Sequence, residues 1–91
     1  MHALIINSHD RFTGLEHAEV ETPLPAEGEV SIDVDFAGVG LIDALWTTGR
    51  MPSRLGRIPG LEVSGSIREL GAGVTDLTVG QKVAAILPNT G

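Results

Sequence analysis

Between Val30 and Ala37 the chain alternates with a strict period of two. Val30, Ile32, Val34 and Phe36 fall on one side, and Ser31, Asp33, Asp35 and Ala37 on the other. Successive side chains of an extended backbone point to opposite faces, so this pattern predicts a strand with one buried and one wetted face. Such a strand belongs in an antiparallel sheet with a solvated side, because strands of a covered parallel sheet are apolar on both faces.

A second stretch, Pro59 to Val83, repeats the theme. After the Pro59-Gly60 turn signal, Leu61, Val63, Gly65 and Ile67 alternate with Glu62, Ser64, Ser66 and Arg68. Gly71-Ala72-Gly73 stops that strand, and a turn at Gly80 launches another over Val83 to Leu87. Ala3 to Ile6 predicts a short first strand, and Leu15 to Thr22 a weak, mostly solvated edge strand. Pro23 and Pro25 forbid regular ladder bonding in the connection that comes next. Leu41 to Thr48 predicts a short helix, with Asp43 in its first turn and Gly49 as its stop. Met51 to Arg57 is irregular and, with Arg50, Arg54 and Arg57, holds the one basic concentration. Pro88 to Gly91 reads as turn residues. The fold class expected is mostly β, with about five or six strands and one short helix.

Ninety-one residues make one small domain with a thin core, since chains of this size bury only about 60–65% of their unfolded surface. Aromatics are few (Trp46, Phe12 and Phe36, with no tyrosine), so that core must come from Val, Ile, Leu and Ala. Twelve acids against six bases give a net charge of −6, which argues against nucleic acid and anionic lipid as partners. The absence of cysteine excludes disulfides and thiolate metal sites. No apolar run approaches the roughly 20 residues needed to span a bilayer, and Met1-His2-Ala3-Leu4 lacks a basic leader segment. A cytoplasmic location is the expectation.

No autonomous catalytic site emerges from the residues. Gly38-Val39-Gly40-Leu41-Ile42-Asp43 follows a strand and precedes a helix, with Glu62 about 20 residues on, as in a dinucleotide fingerprint. However, Asp43 stands where glycine or alanine permits close helix–strand packing, and the preceding strand carries Asp33 and Asp35 beside the supposed pyrophosphate. Gly71 to Asp76 reads as a hairpin or bulge connection. His2, His9 and His17 have no second histidine or cysteine at metal-ligand spacing and read as exposed polar side chains. Ser8, Ser31, Ser53, Ser64 and Ser66 lack a nucleophile-elbow context. Asp43 and Glu62 read either as a helix-end charge and a polar strand position or as acids on a concave rim.

Taken in register, Ala37 to Asp43, Gly49, Pro59-Gly60-Leu61-Glu62-Val63-Ser64-Gly65, Leu70 to Val74 and Val79-Gly80-Gln81-Lys82-Val83 resemble one family. It is the N-terminal, GroES-like domain of medium-chain dehydrogenases/reductases, and the likeness extends back through Pro23 to Val30. The resemblance implies a GroES-like, partly open β-barrel with one short helix over residues 1–91, incomplete, with the Rossmann domain absent. Zinc alcohol dehydrogenases place a cysteine at the Gly40 position and a histidine at the Leu61 position. The resemblance therefore implies no metal and points to the zinc-independent, quinone oxidoreductase-like branch. Members of that branch often carry asparagine at the Gly40 position and tyrosine near Leu45 to Trp46, so a roomier, more apolar pocket is expected. Gln81 replaces the family's usual aspartate, a change expected to be tolerated on the surface.

The same resemblance implies a substrate-side domain of an NAD(P)H-dependent quinone, enone or carbonyl reductase. Gly40, Ile42, Asp43, Trp46 and Glu62 are expected to line its cleft, and no catalytic residue is assigned. NADP(H) is expected in the intact parent, with neither cofactor nor zinc bound to this chain and no turnover by the chain alone. Self-association through exposed strand edges is expected too, the chain being either a homodimer or a partly disordered monomer. The alternative is a non-catalytic, ring-forming GroES-like module of the chaperone type.

Overall fold

The structure is a computed structural model and describes residues 1–87. Its elements run β1 (His2–Ile6), a 3₁₀ turn (Arg11–Gly14), β2 (Leu15–Glu19), β3 (Val30–Ala37), α1 (Leu41–Thr48), β4 (Glu62–Leu70) and β5 (Lys82–Ile86). The strands form two separate sheets, β1-β2 and β3-β4-β5, all antiparallel and neither closed into a barrel. This is the mostly-β, one-helix class expected. The turn residues read at Pro88 to Gly91 lie outside the described residues.

The chain divides into two compact units. One comprises residues 1–21 and 38–61 with Leu87, and the other residues 22–37 and 62–86. In the first, β1 pairs with β2 in a register that sets Leu4 opposite His17. The second strand is shorter than the alternation predicts, ending at Glu19. Past it the Val20 N–H still donates to the Met1 carbonyl at 2.8 Å, but Pro23 and Pro25 end further pairing. Ile6 is fully buried. Its N–H donates to the Arg57 carbonyl at 2.9 Å, and its carbonyl accepts from the Gly56 N–H at 2.7 Å. The 51–57 segment is thus sewn onto the end of β1 by backbone bonds. Gly14 is needed where it stands, because a Cβ there would lie 2.0 Å from the Ser8 carbonyl oxygen.

The histidines of this unit are exposed, as expected, yet two of them, His2 and His17, engage each other. The His2 and His17 rings stack with centroids 5.2 Å apart, and His2 Nδ1 lies 3.0 Å from Glu19 Oε2. All three groups share one face of the β1-β2 ribbon.

In the second unit β4 is the central strand, with β3 and β5 as its edges. Ile67, near the middle of β4, is 2% exposed. Lys82 Nζ of β5 lies 3.2 Å from Asp35 Oδ2 of β3, and Arg68 of β4 lies 3.9 Å from Asp33 of β3. The connection expected to be rigid is tied to the end of β4, since the Gly71 N–H donates to the Glu29 carbonyl at 2.7 Å and Gly28 N–H to Ala72 at 2.9 Å. Gln81 is exposed, and its Oε1 accepts from the Thr78 N–H at 3.1 Å, which closes the turn before β5.

One expectation fails in β3. The alternation predicts that Val30, Ile32, Val34 and Phe36 share a buried face, but Val34 is 53% exposed and Phe36 76% exposed. The register shifts between Val34 and Phe36, which face Gly65 and Ser64, adjacent residues of β4. Adjacent residues of a regular strand point to opposite faces, so the bulge turns Phe36 away from the side held by Ile32 and Val34. A period-two pattern has no means of locating such a bulge.

Candidate functional site

Helix α1 covers the span expected, Leu41–Thr48. Gly40 is its N-cap, in an extended conformation, and its N–H donates to Asp43 Oδ2 at 2.9 Å. Asp43 thus returns one half of a capping box and places its charge at the positive end of the helix. The other carboxylate oxygen, Oδ1, is buried and makes no hydrogen bond. A pyrophosphate would need that same helix terminus. The self-capping carboxylate therefore leaves the Gly38 to Asp43 stretch unfit for dinucleotide phosphates.

The C-terminal end of α1 is held from several directions. Gly49 adopts the left-handed conformation, φ 77°, that stops a helix. Its N–H and the Ser53 hydroxyl both donate to the Trp46 carbonyl, at 3.3 and 2.7 Å. Ser53 in turn lies 2.9 Å from His9 Nε2. This His–Ser contact is not that of an activated nucleophile. The serine proton is committed to the Trp46 carbonyl, so the hydroxyl oxygen accepts from the histidine. Finally, the Arg57 guanidinium sits 3.8 Å from the centre of the Trp46 ring. The backbone of Arg57 belongs to the loop fastened to Ile6, so α1 and β1 are joined through Trp46.

The structure brings four of the five expected site residues together. Gly40, Ile42, Asp43 and Trp46 occupy α1 and its cap, with Gly40 exposed and the other three half-buried. Glu62 belongs to the second unit, exposed at the start of β4 opposite Ile86. Sequence reading passed over Arg57 and Ser53 as partners of Trp46, and His9 as a partner of Ser53. Arg57 carried only the signal of belonging to a basic segment, and His9 lies 44 residues from Ser53 with no local signal. Val39 and Leu41, which flank Gly40, are 92% and 75% exposed and form an apolar lip at the start of α1.

Among the described residues no group of three or more His, Cys, Asp or Glu could hold a metal ion. Gly40 and Leu61, the positions where the resemblance puts zinc ligands, carry no donor atom.

Two open antiparallel sheets, with a self-capped helix following the alternating edge strand β3, define a class of domain. The chain belongs to the alcohol dehydrogenase GroES-like domain family, which matches residues 26–90. It is 33% identical to a chloroplast envelope quinone oxidoreductase homolog of Arabidopsis thaliana, over all of this chain and 29% of the relative. It is 38% identical to the acryloyl-coenzyme A reductase of Metallosphaera sedula, over 96% of this chain and 26% of the relative. Among solved structures it superposes on the mycobacterial protein Rv1454c complexed with NADPH, with a TM-score of 0.90 and 31% identity, over 98% of this chain and 28% of that one. The chain thus spans less than a third of the length of these relatives. The first two carry oxidoreductase names.

Proposed function

We propose that this chain forms the substrate-side domain of a zinc-independent, NADP(H)-dependent oxidoreductase acting on small quinones, enones or activated carbonyls. The observation that carries the reading is the start of α1. There, at the register of the family, a glycine replaces the zinc-binding cysteine, and the helix presents Ile42, Asp43 and Trp46 in sequence. The named relatives support the substrate class, since one is a quinone oxidoreductase homolog and another reduces an acryloyl thioester. The NADPH complex of the mycobacterial neighbour supports the cofactor.

The nicotinamide, when bound in the parent, supplies the hydride. This domain has then to orient a flat acceptor and keep water from it. The apolar lip of Val39 and Leu41 and the indole of Trp46 suit that role, and no side chain here needs to act as a nucleophile. The ring-forming module has less support, because it needs a mobile loop and the 51–57 segment is bound to Ile6 and Trp46.

The test is NADPH oxidation by the protein translated from the full reading frame that contains this chain, with 1,4-naphthoquinone as acceptor. Turnover that survives exhaustive chelation is the expected result. Activity restored only by zinc would overturn the zinc-independent reading. The 91-residue chain alone is expected to bind no NADPH, and saturable micromolar binding would contradict that.

A further inference from the structure

Three bonds converge on Trp46, and only one of them touches its ring. The Gly49 N–H and the Ser53 hydroxyl hold its carbonyl, which fixes the backbone but does not itself set the side-chain torsions. Arg57, 3.8 Å from the ring centre, lies over one face and restricts the ring. Arg57 is itself placed independently of α1, since its carbonyl accepts from the Ile6 N–H at 2.9 Å and its N–H donates to the Arg54 carbonyl at 3.2 Å. Trp46 is only half-buried, so part of the residue stays open to a ligand.

We infer that Arg57 is a positioning residue for the acceptor substrate: it fixes the plane of the Trp46 indole, and that plane selects flat conjugated rings. The inference rests on the substrate-side reading of the domain. A ring already oriented offers a stacking surface without the ordering cost that a mobile side chain would add on binding. Small open-chain acceptors gain little from such a plane, because they have no ring to lay against it. The guanidinium is needed as a flat cation. Lysine would keep the charge but lose the stacked geometry.

The experiment compares wild type with Arg57→Gln and Arg57→Lys, and uses Arg50→Gln as a control that removes the same charge from an exposed position nearby. In the full-reading-frame protein, Arg57→Gln is expected to raise KM for 1,4-naphthoquinone roughly three- to ten-fold. KM for NADPH, and KM for a small open-chain enone, should stay unchanged. Arg57→Lys should fall between, and Arg50→Gln should match wild type. In the 91-residue chain Trp46 is the single tryptophan and there is no tyrosine, so its emission reports this ring alone. Lower steady-state anisotropy in Arg57→Gln is expected.

An unchanged naphthoquinone KM in Arg57→Gln, or a rise shared equally by the open-chain enone, overturns the inference and leaves the substrate-side reading standing. Unchanged anisotropy overturns it at the level of the ring, even where the enzyme variant fails to fold. Absence of turnover by wild type with every acceptor removes the substrate-side reading and the inference together.

Discussion

Gly65 of β4 passes so close to Asp33 of β3 that a Cβ on Gly65 would stand 2.0 Å from the Asp33 carbonyl oxygen. The contact is with backbone, which has little room to yield. The bulge that turns Phe36 to the other face begins beside it, with the Asp35 nitrogen 3.1 Å from the same point. Gly65→Ala is therefore expected to destabilise the second unit by about 3 kcal/mol or more, at the upper end of overpacking costs. Hydrogen exchange of the β4 amides checks this. Protection equal to wild type would refute it.

Among the described residues each unit has one fully enclosed aliphatic side chain, Ile6 in the first and Ile67 in the second. Truncating either to alanine removes most of the packing it supplies, at about 2–5 kcal/mol. Trp46 lies in the same unit as Ile6. Urea unfolding followed by its emission should show a lower midpoint for Ile6→Ala, and Ile6→Val should lose only about 0.5–1.5 kcal/mol.

Gly40 has an extended backbone and open space around a built Cβ, so nothing in the fold requires glycine there. Asparagine is the better N-cap residue, and Gly40→Asn should stabilise α1 by a few tenths of a kcal/mol. Thermal unfolding of the chain measures the gain. In the full-reading-frame protein the same substitution adds an amide to the proposed acceptor site. A shift in preference toward more polar acceptors at equal or greater stability is the expected pair of results.

Asp43 gives one carboxylate oxygen to the Gly40 N–H, while the other is buried without a partner. Asp43→Ala loses the cap and its helix-end charge, at about 1 kcal/mol. Asp43→Asn keeps an acceptor oxygen but not the charge, and should recover part of the loss. Far-UV circular dichroism across a thermal melt distinguishes the two. Equal stability of all three would mean that the carboxylate contributes nothing to α1.

Much of this molecule is local in origin. The helix from Leu41 to Thr48, its cap at Asp43 and its stop at Gly49 depend on neighbours three or four residues away, so the order of residues determined them. The same holds for the strands around the Gly71 to Asp76 connection and for the missing metal donors at Gly40 and Leu61. Four of the five proposed site residues cluster because they belong to one such local element.

Only the tertiary structure decided the rest. The turning of Phe36 away from Val34 depends on a bulge whose position is set by the partner strand, and alternation within a single strand carries no record of it. The hold on Trp46 joins His9, Ser53 and Arg57, side chains that meet only because the 51–57 loop is hydrogen-bonded to the end of β1. Contacts between residues far apart in the chain leave no periodic trace in it, and they are what turn a tryptophan on a short helix into an oriented surface.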